Sequence, residues 1–108
     1  MQGTLLALFC GAHDQADGSS WCPDCNDAEP VIEAALAAAE GDITLVSVEL
    51  ARAEYKGNPN HWARVHAGVK LKAVPTLYRW GNGKKPVASL VEAQAKEAPL
   101  VEELISGD

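Results

Sequence analysis

The sequence predicts an α/β fold built on a four-stranded mixed sheet flanked by helices. Three observations carry this reading. Two strand-like apolar runs, residues 4–9 and 43–49, enclose a long amphipathic helix; a Gly- and Asn-containing turn separates two further strand-like runs; and a second amphipathic helix closes the chain. A helix between neighbouring strands implies a parallel pair with a right-handed crossover, whereas a short turn implies an antiparallel hairpin. With 108 residues the chain fits a single domain, 1–108, because about 100 to 200 residues per domain is usual. Apolar residues make up 47% of it and charged ones 22%, a balance that favours a packed core over a disordered tail.

Residues 4–9 are Thr, Leu, Leu, Ala, Leu and Phe, apolar on both alternating faces, as suits a strand covered on both sides. The polar stretch 11–20 reads as a loop and ends at Trp21-Cys22-Pro23. From residue 22 to 40, Ala28, Val31, Ile32, Ala35, Leu36 and Ala39 recur at spacings of three and four, an apolar stripe on one helical face. Pro23 falls in the first turn, where no amide is needed, and Gly41 follows as a stop. Pro30 lies inside this helix and is expected to bend it. Residues 43–49 are rich in β-branched side chains and mostly apolar, a second strand. Asn58-Pro59 resembles a cap and first-turn proline for a short helix, with Trp62, Val65 and Val69 inward and Gly68 near its end. Thr76 to Trp80 and Pro86 to Val91 are the hairpin strands around Gly81-Asn82-Gly83-Lys84. Ala98-Pro99 opens the last helix, with Leu100, Val101, Leu104 and Ile105 on one face.

The formal charge of −6, from 15 acidic and 9 basic residues, argues against nucleic acid or an anionic membrane as partner. The apolar run near the start is far shorter than the roughly 20 residues that span a bilayer. The first residues lack the basic region of a secretory signal, so a cytoplasmic location is expected. Two of the three cysteines stand three residues apart, which in a reducing compartment suits a catalytic or metal pair better than a disulfide scaffold.

Cys22-Pro23-Asp24-Cys25 opens a helix, where free amides and the helix dipole stabilise an anion such as a thiolate. Cys22, at the cap, is expected to accept from the amides of Asp24 or Cys25, acquire a lowered pKa and act as nucleophile. Cys25, one turn on and less exposed, resolves the mixed disulfide. A half zinc site has the same spacing, but the other candidate ligands, Cys10, His13, His61 and His66, include no second CxxC, and His61 and His66, five positions apart on one helix, do not converge. No metal is expected. Cys10 is read as a small core thiol, Trp62 as core, and His61 and His66 as solvated or capping. Residues 13–18 superficially suggest a calcium loop, but His13 falls where the first Asp belongs.

Trp21-Cys22-Pro23-Asp24-Cys25, Pro30 and Ala73-Val74-Pro75-Thr76-Leu77 together resemble a thioredoxin fold. The Asp within the motif, the long loop before it, Ala28-Glu29-Pro30 and Asn58-Pro59-Asn60 are similar to the thioredoxin domain-containing protein 17 family. The resemblance implies a disulfide reductase acting on cystine, small peptide disulfides and selected protein thiols. It implies no bound cofactor; the redox-active disulfide Cys22–Cys25 would receive electrons from NADPH through thioredoxin reductase. It also implies that Pro75 is cis and faces the cysteines, turning the Val74 backbone toward an incoming disulfide, with Trp21, Pro23 and Asp24 completing the substrate contacts. Against the family pattern, the buried carboxylate of ordinary thioredoxins is missing from strand 4–9, leaving Asp24, Glu29 or water to deprotonate Cys25. If Met1 is the true start, the usual N-terminal strand and helix are also missing, which leaves strand 43–49 as a sheet edge, with dimerisation through it or lowered stability expected.

Rival functions are a binding module without turnover, a thiol peroxidase and glutathione-dependent chemistry. The intact CxxC disfavours the first, the lack of any Arg before Arg52 the second, and the want of evident cations around Cys22 the third. The loop 11–20, with Asp14 and Asp17, is expected to close over one side of Cys22, exclude large folded proteins and disfavour acidic partners.

Overall fold

Strand β1 (Thr4–Gly11) is covered on both faces because both carry apolar side chains: Leu6, Leu8 and Cys10 alternate with Ala7 and Phe9, and all are buried. The computed structural model describes residues 3–80 and 86–107. Strand β2 (Ile43–Leu50) runs parallel to β1, with Thr4 opposite Ile43 and Gly11 opposite Leu50. Strands β3 (Thr76–Trp80) and β4 (Pro86–Val91) add antiparallel, giving the order β2-β1-β3-β4. This is the expected mixed sheet, with β2 as the outer strand among the described residues and Val46 on it 46% exposed. The hairpin turn assigned to 81–84 lies outside the described residues.

The crossover between β1 and β2 is helix α1 (Pro23–Ala38), which buries Cys25, Ala28, Ile32 and Ala35. Val31, Leu36 and Ala39 pack partly buried against the same core, so the whole predicted stripe is inward. The helix runs through Pro30 unbroken, and Gly41 beyond it adopts a φ of 96°, the left-handed region that glycine enters without steric cost. Against α1 lie a 3-10 turn (Glu92–Lys96) that buries Ala95 and the final helix, which buries Val101, Leu104 and Ile105.

The other sheet face is covered by two short helices, α2 (Arg52–Tyr55) and α3 (Trp62–Val65), and the segment between them. The final helix is therefore α4 (Ala98–Ser106). Tyr78 meets Phe9 edge to face with centroids 5.6 Å apart, and Trp62 lies 6.1 Å from the same ring. Two expectations fail here. Trp62 and Val65 are 50% and 59% exposed, and the residue buried in α3 is Ala63, because a single turn is too short for helical periodicity to govern burial. The helix is opened not by Asn58 but by His61, whose Nδ1 accepts the Ala63 amide at 3.1 Å. His61 is consequently buried and capping, one of the two roles expected of it; exposed His66 accepts the Gly68 amide in the same way at 2.9 Å. Neither α2 nor the 3-10 turn was expected, each being too short to leave a periodic pattern.

Candidate functional site

The chain reaches the cysteine pair through a tight crossing. Gly11 passes under the indole of Trp21, where a Cβ would lie 2.6 Å from Trp21 Cε2 and 2.8 Å from Ser20 Oγ. Only glycine permits this approach. The buried Ser20 hydroxyl donates to the Gly11 carbonyl at 2.7 Å and accepts the Cys22 amide at 3.1 Å. Asn26 closes the turn from α1: its Oδ1 accepts the Ser20 amide at 2.8 Å, and its Nδ2 donates to the Ser20 carbonyl at 3.0 Å. Trp21 Nε1 donates to the Leu50 carbonyl at 2.7 Å.

Cys22 is the N-cap of α1, with the Cys25 amide donating to its carbonyl at 3.0 Å. Its sulfur makes no side-chain cap bond, contrary to expectation, and instead lies 3.6 Å from the carbonyl of Val74. Burial pushes the Cys22 thiol up to about 11, outweighing the pull of the Cys25 and Asp24 amides. Cys25 behaves oppositely. It is fully buried, yet the neighbouring Cys10 thiol and the Gly11 amide, which donates to its sulfur at 3.4 Å, bring its pKa down to about 6. Cys10 is shifted far upward by the neighbouring Cys25 and by burial, and so keeps its proton. Three free cysteines thus converge where the sequence was read as a pair and a core thiol.

Cys22 opens into a groove of about 340 Å³ lined by Trp21, Cys22, Pro23, Asp24 and Val74, with Tyr55, Arg64 and Lys72 among the residues opposite. The Val74–Pro75 bond is cis, and Pro75 is fully buried, its carbonyl accepting the Glu92 amide at 2.7 Å. Glu92, also on the groove, holds a left-handed φ of 51°, rare for a side chain of its kind and unforeseen from sequence. The groove carries Lys56, Arg64 and Lys72, whereas no cations were expected around Cys22. Arg64 stacks 3.9 Å from the Tyr55 ring centroid and donates to the Tyr55 carbonyl at 3.3 Å. Asp24 is paired with Lys96 Nζ at 3.1 Å, which offsets the repulsion it would exert on a neighbouring thiolate.

The loop 11–20 contributes nothing to the lining of that groove, against expectation. It folds on itself through a His13–Ser20 bridge and is pinned at its base, where His13 places Nε2 and Nδ1 each 2.8 Å from the carboxylates of Glu29 and Glu49. Glu29 is thereby engaged with His13 and not with Cys25. Residues 1–107 match the thioredoxin domain of thioredoxin domain-containing protein 17-like proteins. The chain is 37% identical to mouse thioredoxin domain-containing protein 17 and 38% identical to the human one, over 97% of this chain and 80% of each relative. The thioredoxin-like protein Clot of rice is 36% identical over 94% of this chain and 75% of its own.

The chain belongs to the thioredoxin domain-containing protein 17-like family.

Membership of the thioredoxin domain-containing protein 17-like family supports a thiol–disulfide redox role, a chemistry that calls for no bound cofactor. Among the described residues, no cluster of His, Cys, Asp or Glu is arranged to hold a metal ion, and no helix is long and apolar enough to cross a membrane. In this family member the sequence-derived residues Trp21, Cys22, Pro23, Asp24 and Val74 line one groove, whereas Pro75 and Cys25 are fully buried and take no part in its lining. Gly11, Ser20 and Asn26 were missed, though the Ser directly before Trp21 could have been read as a partner for the backbone of the turn.

Proposed function

We propose that the protein is a dithiol disulfide reductase in which Cys22 attacks and Cys25 resolves. One observation carries this reading: Cys22 borders the groove, whereas Cys25 is fully buried behind it. The reduced pair holds one proton and one negative charge, the charge resting on Cys25, where the donors converge. Handing the Cys22 proton to Cys25 leaves a Cys22 thiolate at the α1 N-terminus, stabilised there by free amides. That thiolate attacks a substrate disulfide, forming a mixed disulfide and expelling a thiolate, which takes the proton from Cys25. The Cys25 thiolate then attacks the Cys22 sulfur, closing the Cys22–Cys25 disulfide and releasing the second thiolate. Two electrons pass from the protein to the substrate. On this reading they return from NADPH through thioredoxin reductase in the cytoplasm, and the substrates are cystine, small peptide disulfides and selected protein disulfides that fit an open groove.

The test is a coupled assay with NADPH, thioredoxin reductase and cystine. Turnover in the wild type, its loss in Cys22→Ser, and mixed disulfides accumulating on Cys22 of Cys25→Ser are expected. Stable adducts on Cys25 of the Cys22→Ser protein, with none on Cys22 of the reciprocal variant, would reverse the roles. The same reading includes a homodimer joined through the outer edge of β2, to be sought by light scattering at several concentrations; a monomer throughout removes that part.

A further inference from the structure

Aromatic rings and cations alternate along one wall of the groove beside Cys22. Trp21 and Tyr55 lie with ring centroids 6.4 Å apart; Lys56 places Nζ 5.9 Å from the Trp21 ring, and the Arg64 guanidinium stacks 3.9 Å from that of Tyr55. All four line the groove together with Cys22, and Lys72 adds a third cation. The short helix α3 sets Arg64 in this place. The His61 cap starts its single turn, Ala63 is buried in the core, and the next residue turns back over Tyr55, where Nη2 donates to the Tyr55 carbonyl at 3.3 Å.

The chain carries 15 acidic residues against 9 basic ones, yet none of Lys56, Arg64 and Lys72 has an acidic partner among the described residues. Asp24, on the same groove, is paired with Lys96 instead. The Tyr55 carbonyl is the one acceptor that Arg64 meets among the described residues. Its Nε is buried without a partner, and so is the hydroxyl of Tyr55, a residue only 4% exposed. Donors left in this way carry a desolvation cost that a bound acceptor relieves. A planar guanidinium lying on a ring with donors unmet is a fork shaped for a carboxylate, which it grips through two parallel hydrogen bonds. Ring and carbonyl hold it in advance, so little side-chain freedom is lost on binding. We infer that Arg64, on its Tyr55 platform, is a specificity-determining residue that binds a carboxylate carried beside the disulfide of the substrate. The inference rests on the redox reading above and narrows its substrates to disulfides of carboxylate-bearing amino acids and peptides, in preference to their esters. Lys56 and Lys72 are flexible point charges that respond to the total charge of a ligand. Arg64 acts by directed contact, and so it selects a carboxylate even on a disulfide of zero net charge such as cystine.

The experiment compares cystine with cystine dimethyl ester as substrates of the wild type and of Arg64→Lys, which keeps the charge and loses the fork. In the lysine variant kcat/KM for cystine should fall about tenfold, while that for the ester stays within about twofold. Equal activity of the two proteins on cystine, or equal losses on both substrates, overturns the inference. Binding is read separately with lanthionine, the thioether analogue of cystine, which offers the same carboxylates and has no disulfide to reduce. Titrated into the full reduced chain and followed at the Trp21 indole N–H by NMR, lanthionine should bind Arg64→Lys about tenfold more weakly than wild type, and its dimethyl ester should leave the resonance unmoved. Lanthionine binding that is indifferent to Arg64 also overturns the inference. If the lysine variant does not fold, Arg64→Gln takes its place, with Lys72→Gln as the control for a lost charge. A protein that binds lanthionine through Arg64 yet reduces no disulfide would refute the redox reading and leave the carboxylate site standing.

Discussion

Trp21 donates its indole N–H to the carbonyl of Leu50 at 2.7 Å, tying the residue before the cysteine pair to the end of the outer strand. The same carbonyl accepts the Ala12 amide at 2.9 Å, so it stays satisfied when the indole is removed. Trp21→Phe should therefore cost only one net hydrogen bond, about 1 kcal/mol, in denaturant unfolding. A loss of several kcal/mol would show that the ring's packing, and not its donor, holds the junction.

Gly11→Ala should be worse. Its Cβ would stand 2.6 Å from the indole, and relieving that overlap displaces Trp21 from the groove wall. Overpacking of this kind costs about 1–3 kcal/mol. Unfolding should register the loss, and the tryptophan emission of the folded protein should shift with it; an unaltered spectrum and midpoint would refute the crossing as a constraint.

Hydrogen bonds that the His13 ring donates to Glu29, first, and to Glu49 raise the pKa of His13. A base whose pKa is higher folded than unfolded binds its proton more tightly in the fold. Its contribution is complete below the unfolded value of 6.5 and disappears as pH rises through the folded value. Wild type should exceed His13→Gln in stability at about pH 5.5, and the gap should close by about pH 9. Equal gaps at both pH values would mean that the ring acts by packing alone.

Lys56, Arg64 and Lys72 beside Cys22 favour anionic disulfides on the proposed redox reading. Lys72→Gln should lower kcat/KM for oxidised glutathione by about threefold while leaving zwitterionic cystine nearly unchanged, and added salt should narrow the difference. An equal effect on both substrates would remove charge from the explanation.

The elements legible in the sequence are those whose apolar positions repeat over several turns or alternations, β1, α1, β2 and α4, and the hairpin strands β3 and β4, set off by the turn residues between them. The motif residues were legible because a CxxC at a helix start and a Val-Pro-Thr before a hairpin carry their chemistry in local order. What eluded sequence reading depends on distance in space. Lys56, Arg64 and Lys72 lie far along the chain from Cys22 and become its neighbours only when the segment after β2 folds across the sheet. Cys10 was legible as buried, but the approach of the Gly11 amide beside it to Cys25 Sγ follows from how β1 passes α1, which no spacing reveals. In α3 the period itself misled, since one turn cannot average its surroundings and the small Ala63 took the inward place from Trp62.

Arg79, on β3, donates from one nitrogen to the carbonyls of Leu104 and Ile105 at 2.9 and 2.7 Å, in the last turn of α4. Carbonyls at a helix end otherwise lack partners within the helix, and a terminal helix ordinarily frays from that end. Here a cation from the sheet occupies them, at the pole of the helix dipole where positive charge is favoured. The C-terminal helix is thereby bolted to the strand beside β1, and its amides should exchange with solvent only as slowly as those of β3, the two opening together as one cooperative unit.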